Sequence, residues 1–400
     1  MPHDTTRRHL IAAAGAWPLL AWLPAHAEGW ADIERAARGQ TVYFNAWAGS
    51  ERINAYLQWA GAEIEKRRGV KLEHVKIADT AEAVKRVRAE KQAGRAADGS
   101  VDMVWINGEN FLAMKRDGLL YGPFAESLPA YANVDTTGKP TTRIDFSEPV
   151  DGMEAPWGMA QLTFFADSKR VPRPPRSLAE LLEFAKRNPG RISYPKPPNF
   201  HGTTFLKQVL LEASADRRPF YAPMVPEQFL AASAALWSTL DALHPLLWRQ
   251  GKQFPPTNVA MRQMMADGEL AITLTFNPNE AANEIAAKRL PESVVSWQHA
   301  GGTIGNTHFL AIPFNAKAKE GAQVLIDFLL SPPAQARKAD IDVWGDPTVL
   351  AVDRLPLSDK ALFTRTAAPG VVTQSAPALP EPHASWVEPI EREWAKRYGQ

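Results

Sequence analysis

From Gln40 onward the chain alternates between two hydrophobic rhythms, and this alternation limits the fold more than any other feature. Thr41–Phe44 is a short apolar run of strand type. Arg52–Arg67 follows, with Ile53, Tyr56, Leu57, Ala60 and Ile64 at spacings of three and four, the period of one helix face. Val70–Ile77 predicts a strand again, and Thr80 can cap a helix that carries Val84 and Val87 and runs to about Gly94. Val101–Ile106 is another short apolar run, and it ends in Asn107, Gly108 and Glu109 before a further helix. Strand followed by helix, repeated, predicts an α/β fold whose sheets are flanked by helices.

The second half repeats the pattern. Gln161–Ala166 predicts a strand. Ser177 and Glu180 have the spacing of a capping box, ahead of an apolar stripe formed by Leu178, Leu181, Leu182 and Ala185. Asn188-Pro189-Gly190 stops that helix, and Arg191–Tyr194 predicts the next strand. A helix with Val259, Met261, Met264 and Met265 ends at Gly268, and Leu270–Thr275 predicts a strand that stops at Asn277, Pro278 and Asn279. Phe309–Ile312 predicts a strand, Lys319 to Leu330 a helix, and Val387–Arg397 a last helix capped by Ser385. At 400 residues the chain exceeds one ordinary core, so two domains are expected.

Residues 1–27 are expected to stand apart from the fold. Arg7 and Arg8 precede an apolar stretch from Leu10 to Leu23, and Ala25-His26-Ala27 follows. That is the order of a cleaved secretory signal, and "TRRHLI" has the paired arginines of a twin-arginine export signal. The chain has no cysteine, which leaves no residue for lipid attachment at the signal boundary and no disulfide. A formal net charge of +1 and the absence of long like-charge runs give no electrostatic footprint for nucleic acid.

Motifs for bond-making chemistry are missing. There is no H-E-x-x-H, G-x-S-x-G or C-x-x-C. "GRAADGS" (residues 94–100) has glycines at phosphate-loop spacing, but Ser100 stands where the lysine belongs. His201, His299 and His308 lack the local spacing of a metal pair, so neither a metal nor a cofactor is expected. The informative pattern is positional. Asn45, Trp47 and Ser50 follow the first predicted strand, Trp105, Asn107 and Glu109 end another, and Asn277 and Asn279 end a third. "NFHGTTFL" (Asn199 to Leu206) brings His201, Thr203 and Thr204 to the start of an apolar helix. In an open α/β sheet such turns face one crevice, where amides, hydroxyls and indoles hold a ligand by hydrogen bonds and stacking.

Five stretches in order, "TVYFNAWAG", "DMVWINGENFLAMKRDGLL", "PPRSLAELLEFAKRNPGRISYPKPPNFHGTTFL", "MMADGELAITLTFNPNEA" and "FLAIPFNAKAKEGAQVLIDFLLSPPAQ", resemble the periplasmic solute-binding proteins of ABC importers. The resemblance is to the cluster of thiamine, polyamine and iron binders, nearest a branch related to thiamine transport. It implies a type II two-lobe fold with a ligand cleft between lobes. The implied division is residues 28–160 and 301–345 for the first lobe, 161–300 for the second, and 346–400 for a helical segment packed on both. It implies a monomer without enzymatic activity that captures a small solute and hands it to an inner-membrane permease and its ATPase. Carried over by position, the ligand residues are Asn45, Trp47, Ser50, Trp105, Asn107, Glu109, Trp157, His201, Thr203, Thr204, Asn277 and Asn279. The alternatives are an exported enzyme, for which Glu109 with His201 is the pair to inspect, and a sensor that docks on a membrane receptor.

Overall fold

The computed structural model describes residues 29–363 and 368–399. The expected signal at residues 1–27 lies outside the described residues. The first lobe opens with α1 (Trp30–Ala37), β1 (Thr41–Trp47), α2 (Glu51–Arg68), β2 (Lys71–Ile77), α3 (Thr80–Gln92), β3 (Met103–Ile106) and α4 (Gly108–Arg116). A two-residue ladder of β4 (Ile144–Asp145) and β5 (Glu148–Pro149) precedes the long strand β6 (Glu154–Gln161). The second lobe comprises β7 (Thr163–Asp167), α5 (Leu178–Arg187), α6 (Phe200–Ala213), α7 (Phe229–Ala232), α8 (Ala234–Leu243), α9 (Asn258–Ala266), β8 (Thr273–Thr275), α10 (Glu280–Ala286) and β9 (Val294–Trp297). The chain returns along β10 (Thr303–Ala311) to α11 (Lys319–Leu330) and α12 (Pro332–Ala339), and finishes with α13 (Leu357–Lys360), β11 (Ala378–Leu379) and α14 (Val387–Tyr398).

Two sheets organise the lobes. In the first the order is β2-β1-β3-β10-β11, with β6 also paired to β10; β1 is parallel to both β2 and β3, and β10 is antiparallel to β3. The second is the antiparallel set β8-β7-β9. Each lobe has its own apolar core. Val42, Phe44, Leu57, Ile64 and Leu325 belong to one, and Phe164, Leu206, Leu210, Leu240 and Trp297 to the other. The predicted stripe of α2 is that core face: Ile53, Tyr56, Leu57, Ala60 and Ile64 are all buried.

The lobes are joined by a two-stranded ribbon. Strands β6 and β10 run antiparallel from Glu154↔Ala311 to Gln161↔Gly305. Phe309 and Leu310 pack in the first lobe, whereas Ile304 and Leu162 belong to the second core. The register shifts between His308 and Phe309, a bulge at which a ribbon can bend. At the same level Gly158 is pressed against its neighbours. A Cβ there would lie 2.0 Å from Asp346 Oδ2 and 2.2 Å from His308 Nε2, so glycine is needed for the close approach. The tail then covers the second lobe, where Trp394 is buried in its core.

Several predicted elements are realised differently. β1 continues to Trp47, so Asn45 lies within the strand, not after it. The predicted strand at Gln161–Ala166 is divided between β6 and β7, where the chain changes sheet at Leu162. Leu270–Thr275 is shortened to β8, and Phe309–Ile312 is only the last part of β10. Arg191–Tyr194 forms no ladder. Its backbone bonds go singly to loops, Trp248 N to Ile192 O and Ala271 N to Arg191 O, and prolines 195, 197 and 198 remove donors just beyond. Asp79, not Thr80, caps α3, and it forms a full capping box with Glu82. At α5 the box is half made, because Glu180 accepts from Arg176 N while Ser177 accepts from Glu180 N. Ser385 does not cap α14; its hydroxyl accepts from Met224 N, and a short 3-10 turn, Ala384–Trp386, leads into the helix.

Candidate functional site

β1 and β3 are parallel, so their carboxyl ends lie at the same edge of the first sheet. Asn45 is wholly buried; its Nδ2 lies 3.4 Å from Tyr43 O, and its Oδ1 has no partner. Trp47 ends β1 half-buried, and its ring covers Gly49 so closely that a Cβ there would lie 2.1 Å from it. Ser50 and Asn107 are the N-cap residues of α2 and α4, and neither side chain caps its own helix. Gly108 opens α4 at φ 62°, with its would-be Cβ 2.7 Å from the Phe146 ring, and its N–H donates to Asp145 Oδ2 at 2.6 Å.

Trp105 is half-buried against three other rings. Its centroid lies 5.0 Å from Trp157, 5.1 Å from His308 and 5.7 Å from Trp344. Trp157 is itself fully buried, so its face is closed to solvent in this structure. Beneath these rings lies a buried ion cluster in which Lys338 and His308 both contact Asp346 Oδ2, the histidine at 3.1 Å. Burial opposes a charged Asp346, but His308 and Lys338 outweigh that and hold its carboxyl below the usual range.

From the second lobe, α6 brings its first two turns to the cleft. Asn199 caps it by accepting from His201 N. His201 is half-buried and burial lowers its imidazole to about 4, so it is neutral near pH 7. Among the described residues no hydrogen bond joins it to Glu109. Thr203 donates to Glu391 Oε1 at 2.6 Å, and the buried hydroxyl of Thr204 has no partner. Asn277 and Asn279 reach across the interface instead of standing free. Asn277 Nδ2 donates to Trp344 O at 3.3 Å and Asn279 Nδ2 to Gly345 O at 2.6 Å. Asn283 adds a bond to Trp344 O at 2.6 Å. Arg52, at the start of α2, donates to Asp342 O at 2.7 Å and to Asn283 O at 3.0 Å. These bonds hold the lobes together along one side of the cleft.

On the other side three helices converge. Leu112 of α4, Phe200 of α6 and Val387 of α14 pack around Phe146 and Ala384. Residues three or four apart share a helix face. Glu109, Thr203, Thr204 and Glu391 are each one turn from that apolar contact, so they meet beside it. Asp145 and Glu381 lie in the same cluster, and among the described residues Lys207 is the lysine that faces them. Lys207 Nζ sits 2.6 Å from Glu381 Oε2 and 4.0 Å from the centre of the Phe146 ring. Burial raises the carboxyls of Glu109, Asp145 and Glu381, and it brings Glu391 up to about 7. Glu109 keeps solvent access along the cleft, yet protein surrounds it closely enough to desolvate its charge. A narrow cleft admits water without hydrating an ion fully, so the crowding prevails over the access.

A groove of about 850 Å³ lies elsewhere, between α2 and the edge strand β2, lined in part by Gln58, Gly61, Glu65 and Glu73. Among the described residues its one buried, unpartnered polar atom is Asn54 Oδ1, whereas Asn45 Oδ1, Thr204 Oγ1 and Asn306 Oδ1 are all left unpartnered around the interlobe cleft, so the cleft is the stronger site. Sequence reasoning missed Arg52, Asp145, Lys207, Asn283, Glu381 and Glu391. Only Asn283 carried a local signal, one turn beyond Asn279. The others come together through tertiary packing.

Comparison with known proteins agrees with this architecture. A sequence profile of the bacterial extracellular solute-binding proteins matches residues 59–356. Protein YnjB of Escherichia coli (strain K12) is 46% identical over 378 residues, 94% of this chain and 96% of YnjB. The periplasmic binding protein AfuA of Actinobacillus pleuropneumoniae, solved with fructose-6-phosphate, superposes with a TM-score of 0.62 at 12% identity, over 90% of this chain and 99% of AfuA. The spermidine/putrescine substrate-binding protein PotD of Streptococcus pneumoniae gives a TM-score of 0.59 at 14% identity, over 90% of this chain and 100% of PotD. These likenesses establish the type II two-lobe fold.

Proposed function

The chain belongs to the bacterial extracellular solute-binding protein family, and from that premise we propose that it is the periplasmic capture component of an ABC importer. It binds one small solute between its lobes, closes on it about the β6–β10 ribbon, and presents the closed form to a membrane permease driven by an ATPase. It acts as a monomer after export, by binding and without turnover. Of the described residues, those within 28–160 and 301–345 form one moving body, those within 161–300 the other, and those within 346–400 pack across them.

The solute best matched to the cleft is a small organic cation with an aromatic or polar body, of which thiamine is an example. The observation that carries this is the convergence of acidic side chains beside the cleft. Glu109, Asp145, Glu381 and Glu391 converge with Lys207, and Lys207 is engaged by Glu381. Burial favours the neutral acids, and a bound cation would draw them into their ionised form. The site therefore suits an amine of the kind handled by the PotD transporter better than a sugar phosphate of the kind bound to AfuA. Trp47 and Trp105 supply half-buried indoles on which a cationic ring can stack. Asn45, Ser50, Asn107, His201, Thr203 and Thr204 add donors and acceptors, and Asn277 and Asn279 act through closure. Thermal unfolding of the mature chain against vitamins, polyamines, amino acids, sugars and oxyanions tests this. A ligand at a hundred times its Kd stabilises by about 2.7 kcal/mol, so one organic cation should raise Tm clearly. No shift from any solute would contradict the importer role.

A further inference from the structure

We propose that Glu391, carried on the C-terminal helix, is a specificity residue that grips the cationic group of the solute together with Glu109 of the first lobe. This rests on the cation reading above and goes beyond it, because the family match ends at residue 356 and Glu391 lies outside it. The placement follows from packing. Val387 fixes α14 against Leu112 and Phe200, and Glu391 is one turn further along the same face. Thr203 Oγ1 holds Glu391 Oε1 at 2.6 Å, which leaves Oε2 for a ligand.

Two further groups point to a ligand independently of the acids. The Thr204 hydroxyl, fully buried beside Thr203, has no partner. Asn306 is buried with its Nδ2 on Glu381 Oε1 at 2.9 Å and its Oδ1 unpaired, an acceptor suited to an N–H group. Buried polar atoms are rarely left without partners.

The grip is coupled to protons. Glu391 faces Thr203 and Lys207 of α6, Glu109 of α4 and Asp79 at the start of α3, and Lys207 is itself paired with Glu381. On its own helix stand Glu388, Arg392 and Glu393, and His383 lies 3.4 Å from Glu148 close by. Desolvation first, then the charges of Glu109 and Asp79, favour a protonated Glu391, and it becomes an anion as pH rises through about 7. A cation binds the anion, so affinity rises through the same window. His201 is already neutral there.

The experiment is calorimetric titration of the full mature chain with thiamine, choline and spermidine, and with inorganic phosphate and sucrose as non-cationic probes. At least one cation should bind about tenfold more tightly near pH 8 than near pH 6, the change in ionised fraction about a pKa of 7. Glu391→Gln should lose roughly tenfold in affinity near pH 8 and flatten the pH dependence. Glu109→Gln, at a position with solvent access, should weaken binding without disturbing the fold, which keeps the test decisive if the first variant misfolds. Glu388→Gln, an exposed neighbour, should change nothing. Unchanged affinity and pH dependence in Glu391→Gln would overturn the proposal. Binding of phosphate or sucrose with no cation bound would overturn it and leave the solute-binding role standing. No binding by any probe would overturn it and weigh against the cation reading as well.

Discussion

Tyr194 carries one hydroxyl hydrogen, and its two neighbours decide where that hydrogen goes. Trp394 Nε1 can only donate, and it does so to the Tyr194 oxygen at 2.7 Å. The tyrosine must then donate to His244 Nε2 at 2.6 Å, which requires a neutral ring with its proton on Nδ1. Burial lowers that ring to about 4. A histidine held below its unfolded value of about 6.5 contributes stability that is complete above pH 6.5 and is lost as pH falls toward 4. His201 adds to the same loss. Denaturant midpoints should therefore fall steadily between those values. Tyr194→Phe, which leaves two buried polar groups unpaired, should cost on the order of 2 kcal/mol near pH 7 by denaturant unfolding. Wild-type stability in that variant would rule out the chain of bonds. Trp47→Ala should weaken solute binding with little change in stability, because the half-buried ring lies over Gly49. Asn45 was legible as a polar residue at a strand end, but it lies inside β1, so its loss would disturb the sheet as well.

Arg52 with Asn277, Asn279 and Asn283, at and just before α10, acts as a latch at the scale of elements. The first turn of α2 lies in one lobe and α10 in the other, and both hold the loop from Ile341 to Gly345. Arg52 reaches three consecutive carbonyls there at 3.4, 2.7 and 3.3 Å, so its loss should free the loop without opening a core. Arg52→Ala should shift the population toward separated lobes, seen as a larger radius of gyration by small-angle scattering, and lower solute affinity about tenfold. An unchanged scattering profile and affinity would remove the latch. Elements with consistent local signals were readable from sequence. Lys319–Leu330 has the predicted bounds, and Ser177 caps α5 as its spacing implies. Arg191–Tyr194 was not readable, because its apolar pattern suits a strand while its partners are loops. The latch was hidden for a similar reason: an arginine after a strand looks solvated until a distant loop offers it carbonyls.

At the scale of the whole molecule, one ribbon and one tail define the cleft. The alternation of strand and helix implied the α/β class and the family resemblance implied the two lobes, but the change of sheet at Leu162 was not visible, because Gln161–Ala166 has the pattern of one strand. The tail's role was not visible. The spacing of Val387, Ile390 and Trp394 marks a helix face, but only packing shows that the same helix turns Glu391 toward α4 and α6. Charge convergence of this kind comes from chain segments hundreds of residues apart and leaves no local motif. The proposed function requires these segments to enclose a small organic cation between the lobes. Native mass spectrometry of the full chain, purified without denaturant from its own host, tests that requirement directly. One small cationic adduct per chain is expected, released on unfolding and missing from the Glu109→Gln, Glu391→Gln double variant. An anionic adduct, or a chain of unadorned mass that takes up no organic cation when offered one, would contradict it.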